Sequence, residues 1–121
     1  MRLAALLPAF SLAVCGAVMA QEQAPACKAK PDIVAACFTV HGRLSFWNGA
    51  PSARIWPVGT HRLLGIHNDE LPQALRDRIA FPDTEMWGDF QVCPFTRERP
   101  GHMQFVCVES WQNLEVRERK R

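Results

Sequence analysis

The sequence predicts a mainly β domain with one short helix, elements in the order β-β-β-α-β-β, held together by disulfides. Three observations predict it. In FTVHGRLSFW, Phe38, Val40, Leu44 and Phe46 alternate with Thr39, His41, Arg43 and Ser45, the period of a half-buried strand. One later segment, residues 68–79, instead spaces Leu71, Leu75 and Ile79 by four, the period of a helix. Finally, an even set of cysteines, Cys27, Cys37, Cys93 and Cys107, remains once an export leader has removed the fifth, Cys15.

That leader is residues 1–20, MRLAALLPAFSLAVCGAVMA. It has Arg2, an apolar stretch from Leu3 to Val14, and Val18 and Ala20 at the positions a signal peptidase reads. The stretch is shorter than the ~20 residues of a membrane-spanning helix and contains Pro8, so no transmembrane segment is expected. An alternative is a lipoprotein leader, with LAVC at 12–15 cut before Cys15, although Val14 fits that pattern poorly. Either way the protein is expected in the periplasm or outside the cell. The mature chain has about 100 residues, the size of one domain. Its formal charge of +2, less the contribution of Arg2, gives no strong global field, and no polyanion partner follows from it. The expected organisation is a signal peptide at 1–20, an N-terminal lead at 21–36, a β-rich domain at 37–117 and a basic tail at 118–121. The end RERKR, 117–121, reads as a solvated terminus.

The lead, QEQAPACKAKPDIVAA, is polar and broken by prolines, and is tied down through Cys27. The first strand follows from Phe38, with Gly42 on its core face marking a bend or bulge. NGAPS at 48–52 supplies a turn, and ARIW and THRLLGIH read as two short strands around PVG. The helix over 68–79 has Asn68 and Asp69 as capping candidates and takes Pro72 in its first turn. DFQVCPF and MQFVCVES then form a hairpin, and NLEVRER continues as strand after a kink near Trp111.

In an exported chain the four cysteines form disulfides, because the compartment is oxidising. Of the three possible connectivities, spacing favours Cys27 with Cys37 and Cys93 with Cys107. The hairpin register i + j = 200 places Cys93 opposite Cys107 and Phe95 opposite Phe105, and Pro94 then requires an edge or bulge. No C-x-x-C is present, which argues against a redox centre or a zinc site.

Three strands, a helix and two strands, with a long bent first strand, resemble the OB fold over about residues 37–117. The resemblance implies a five-stranded Greek-key barrel; a partly open sheet or a small sandwich has the same elements. It also implies a ligand face rimmed by the loop between strands 1 and 2 and the loop between strands 4 and 5. On this chain Trp47, Asn48, Arg54, Arg97, Arg99 and His102 would then converge, able to hold an anionic group or a sugar through guanidinium forks and a stacking ring.

Other chemistries find less support. His61 and His67 lie about 20 Å apart on an unbroken strand at ~3.3 Å per residue, so no metal site is expected. No phosphate loop, G-x-S-x-G or H-E-x-x-H occurs, and no cofactor is implied. Glu98 and His102 are the one acid and base pair that could serve a small envelope enzyme. Trp47, Trp56, Trp87 and Trp111 fall near strand ends, where core or rim packing is the ordinary role; two of them exposed on one side would instead mark a contact surface. The expectation is a non-catalytic exported binding module whose partner is an envelope protein, a glycan or a small anion. A structural envelope component is the other alternative. Nucleic acid is disfavoured by export and by the lack of a basic groove with interleaved aromatics.

Overall fold

The computed structural model describes residues 3–6, 8–11, 13, 16 and 26–120. The expected cleavage positions Val18 and Ala20, and Cys15 of the lipoprotein alternative, lie outside the described residues. The described residues of 3–16 form no regular element, and Leu3, Leu6 and Phe10 are exposed. No helix among the described residues is long and apolar enough to cross a membrane.

Five strands appear in the expected order: β1 (Phe38–Phe46), β2 (Ala53–Pro57), β3 (Leu64–Ile66), β4 (Thr84–Pro94) and β5 (Gln104–Glu118), with helix α1 (Gln73–Arg76) between β3 and β4. They hydrogen-bond in the order β1-β2-β3-β5-β4, and β4 returns to β1, so that the mixed sheet closes into a ring. Only the short β3–β5 contact is parallel. Inside the ring lie Leu44, Ile55, Leu64, Ile66, Met86, Phe90, Val92 and Val106, with Phe38, Val40 and Phe46 packed against them. The alternation read in β1 is the alternation of core and surface as far as Leu44; Ser45, read as a surface position, is buried as well. Burying each such side chain stabilises the fold by about 2 kcal/mol.

Gly42 has a sharper role than a generic bend. It pairs with Pro57 on one side and Gly88 on the other. A Cβ there would stand 2.7 Å from Ile55 Cγ2 and 2.9 Å from the Trp56 carbonyl oxygen. The ring tightens on this point, and only a residue without a side chain leaves room.

The helix is much shorter than its pattern. Asn68–Glu70 form a 3-10 turn, Leu71 is extended, and α1 starts only after Pro72. A proline pushes the residue before it out of helical geometry, which interrupts the segment at Leu71. The expected caps are also absent: neither turn has a side-chain cap, and Asn68 Oδ1 instead accepts from the Ser52 hydroxyl at 3.2 Å. Leu71, Leu75 and Ile79 are nonetheless all buried against the ring interior. The apolar spacing reported burial correctly and helix length wrongly.

All four cysteines are bridged, but the connectivity corrects the sequence expectation: Cys27 joins Cys107 and Cys37 joins Cys93. The hairpin register itself is as read, with Cys93 opposite Cys107 and Pro94 opposite Val106. The Phe95 N–H donates to the Phe105 carbonyl at 2.8 Å, so the pair two residues away, Cys93 and Cys107, is in the same hydrogen-bonded phase. Side chains stand further apart at such a pair than at the alternate one. The sulfurs turn instead to Cys27 in the lead and to Cys37 just after it, and the lead crosses the hairpin base. There the Val34 N–H donates to the Pro94 carbonyl at 3.0 Å, so the lead covers the edge at Pro94. The bridges close sequence separations of 80 and 56. In the loop-entropy account each contributes about 4 kcal/mol. Two such bridges fit a non-reducing compartment.

β5 runs unbroken to Glu118, with register shifts between Trp87 and Asp89 and between Gln91 and Val92 in its pairing with β4. The shifts flank Trp111, where a kink was expected. At the first, Asn113 adopts φ 56°, a left-handed conformation that asparagine tolerates, and its side chain donates to Asp89 Oδ2 at 2.8 Å.

Candidate functional site

Because Leu44, Met86 and Phe90 point inward, the alternate residues Arg43, Glu85, Trp87 and Asp89 must point outward. Strand pairing then sets them in rows. Arg43 lies opposite Trp56 on β2 and Trp87 on β4, while Trp87 faces Glu115 and Glu85 faces Arg117 on β5. The result is a layered stack of cations and rings. The Arg43 guanidinium sits 5.0 Å from the Trp56 ring centre and 5.9 Å from that of Trp87, and Arg117 lies 4.8 Å over Trp87. The two indoles meet edge to face, with centroids 6.2 Å apart. Beneath the stack is Glu85, only 7% exposed. Its Oε1 accepts from Trp87 Nε1 at 3.3 Å. Its Oε2 stands 3.5 Å from Arg43 Nε, an ion pair without hydrogen-bond geometry that leaves this buried nitrogen unsatisfied.

The stack continues past the end of β5. Arg119 lies 3.9 Å over the Trp47 ring and donates to the Phe46 carbonyl at 3.0 Å. Its backbone N–H donates to Asp83 O at 2.8 Å. The chain expected as a solvated terminus is thus strand as far as Glu118 and anchored at Arg119, although Arg117 remains exposed. Together Arg43, Trp47, Glu85, Trp87, Arg117 and Arg119 line an open groove of about 850 Å³. At its margin Arg117 bonds Glu115 at 2.8 Å, which lowers the Glu115 carboxyl below its ordinary range and raises Arg117. Further along the same face, His41 Nδ1 meets Asp89 Oδ1 at 2.8 Å. The Asp89 carboxyl is lowered by its hydrogen bond from Asn113 first and by His41 second.

The six residues expected at one mouth are divided. Trp47 belongs to the groove just described. Asn48 is exposed in the β1–β2 loop, and Arg54 Nε donates to the Pro51 carbonyl at 3.0 Å, holding its own loop. Arg97 is exposed on the β4–β5 hairpin. Arg99 and His102 border a depression of about 300 Å³ shared with His61 and Arg62. The two loops do adjoin, but through apolar groups: a Cβ on Gly65 would stand 2.6 Å from Met103 Sδ and 2.9 Å from Pro51 Cγ. Beside them His67 stacks on Phe105, with centroids 4.6 Å apart.

The acid of the expected acid and base pair is engaged elsewhere, since Glu98 Oε1 lies 3.2 Å from Arg62 Nε. Cys27, Cys93 and Glu109 are the one grouping of three metal donors among the described residues, and both sulfurs are committed to disulfides. Arg43 and Glu85 were not singled out as site residues from sequence, Trp87 only as one of four tryptophans near strand ends, and Arg117 and Arg119 only as part of the basic terminus. The available signal was the outward half of each strand's alternation: Arg43 and Trp47; Glu85, Trp87 and Asp89; Glu115, Arg117 and Arg119. The sequence matches no protein-family model, no curated protein and no solved structure.

Proposed function

We propose that the protein is an exported, non-catalytic binding module on an OB-like barrel, and that it holds an anionic ligand in the groove between Arg43 and Arg119. The observation that carries this reading is the stacking of three guanidinium groups on tryptophan rings in one open groove. An exposed arginine loses rotamer freedom when it grips a ligand, about 1 kcal/mol per immobilised side chain. A guanidinium already laid on a ring has lost much of that freedom, while its edge still offers paired N–H donors that match a carboxylate or phosphate. Export is supported by the leader sequence and the two disulfides, and the OB-like reading by the ring order with the helix between β3 and β4.

The test is affinity chromatography of envelope extract on the immobilised, disulfide-bonded protein, beside a double variant Arg117→Gln and Arg119→Gln. A component retained by the wild type and lost by the variant supports the groove as contact surface. Equal retention by both contradicts it.

A further inference from the structure

The lining of the groove narrows the ligand further, on the reading that the groove is the contact surface. It is not uniformly basic. Arg43, Arg117, Arg119 and Lys120 are joined there by the carboxylates of Glu85 and Glu118. Two tryptophans, Trp47 and Trp87, supply ring surface, and Trp47 is 38% exposed. A chain of phosphates carries only acceptors along its backbone, and Glu118 would stand against it as a like charge. Arg43 is paired with Glu85 and Arg117 with Glu115, and a neutral sugar would leave Arg119, which has no carboxylate partner among the described residues, without a counter-charge. An apolar ligand would bury Glu118 and Lys120 with nothing to satisfy them.

A saccharide that bears carboxylates meets every part of this lining. Its carboxylate can accept paired N–H bonds from Arg117 or Arg119. Its hydroxyls can donate to Glu118, and its C–H face can lie against exposed indole. Arg117, near the end of β5, and Arg119, just beyond it, are two residues apart, ~7 Å of extended chain at the usual rise, so successive acidic units can be gripped in turn. A groove of about 850 Å³ takes a segment of several rings rather than one.

We infer that the groove of Arg43, Trp47, Trp87, Arg117, Glu118 and Arg119 binds a segment of a carboxylated polysaccharide. Its carboxylates meet the arginines, its hydroxyls meet Glu118, and its sugar face meets Trp47.

Isothermal titration of the disulfide-bonded protein tests this with three probes of similar length: oligogalacturonate, neutral oligogalactose and oligo-dT. The expected order is oligogalacturonate tightest, with the other two weaker by about tenfold or more, the loss of one charged hydrogen bond. Arg119→Gln and Trp47→Ala should each weaken oligogalacturonate by about tenfold, and Trp47→Phe should restore most of the affinity. Near-ultraviolet circular dichroism on each variant establishes that the fold is intact. Oligo-dT binding as tightly as oligogalacturonate and lost in Arg119→Gln overturns the saccharide assignment while sparing the groove as an anion site. Oligogalacturonate that binds equally to Arg119→Gln overturns the assignment to this groove. Absence of oligogalacturonate binding overturns the inference outright, and the envelope-extract experiment then decides separately whether the groove binds anything.

Discussion

The protein carries two arginine-rich regions, and they are built in opposite ways. In the groove, Arg43 and Arg117 lie on Trp56 and Trp87, on strands that pair along their length, and Arg119 lies on Trp47 just past the ends of β5 and β1. At the hairpin tip, Arg97 and Arg99 project from a turn and contact no ring among the described residues, although the hairpin base is fixed by Cys93 and Cys107. Covalent anchoring of a base does not fix the side chains at a tip. Stacking on a sheet does, because register sets each ring against its cation and the packed ring surface limits the rotamers left to the arginine. The groove is therefore the pre-organised region and the tip the adaptable one.

The comparison can be broken at several points. The largest expected effect is at the pivot of the groove rows. Gly42→Ala places a methyl group 2.7 Å from Ile55 Cγ2 and 2.9 Å from the Trp56 carbonyl. The clash should destabilise the fold by about 3 kcal/mol in urea unfolding and disturb the Trp56 and Arg43 row. Next is Arg43→Leu, which removes the ion-pair partner of the nearly buried Glu85 carboxylate and leaves it only the more distant Arg117. Discounted for the partial exposure of Arg43, the cost should be about 2 kcal/mol. Adding Glu85→Gln should recover part of it, since the amide oxygen can still accept from Trp87 Nε1.

Acid sharpens the comparison along the same face. Asn113 and His41 hold the Asp89 carboxyl below its ordinary 3.8. The folded state therefore favours the ionised form, and this contribution is complete above that value and disappears as pH falls below it. Asp89→Asn should remove this contribution, lowering stability at neutral pH and flattening the acid limb of the stability curve in that window. An acid limb identical to the wild type would show that the contact does not persist in solution. The smallest effect belongs to the tip. Arg97→Ala with Arg99→Ala should change stability by less than about 0.5 kcal/mol, as exposed substitutions generally do.

Element order, the core face of β1 and the hairpin register were legible because each is written in local alternation. Phe38, Val40 and Leu44 announce one strand, and Cys93, Pro94 and Phe95 announce half of a hairpin. The disulfide partners were not legible, since spacing does not reveal the hydrogen-bonding phase at Cys93 and Cys107, nor the path that brings Cys27 and Cys37 across them. The helix pattern of Leu71, Leu75 and Ile79 was true of burial but yielded to Pro72 in conformation. The groove was hidden for a different reason. Arg43, Trp87 and Arg117 become neighbours only once β1, β4 and β5 pair, and Arg117 and Arg119 resembled a frayed basic terminus. Part of the sequence case against nucleic acid also weakens, since a basic groove interleaved with tryptophan does exist.

The arginines laid on tryptophan rings, not those of the hairpin tip, meet the ligand on this reading. The most direct test sets two double variants side by side in the same envelope-extract retention experiment: Arg117→Gln with Arg119→Gln, and Arg97→Ala with Arg99→Ala. The first should lose the retained component and the second should keep it. Loss in the second with retention in the first would contradict the account and return the contact surface to the hairpin tip.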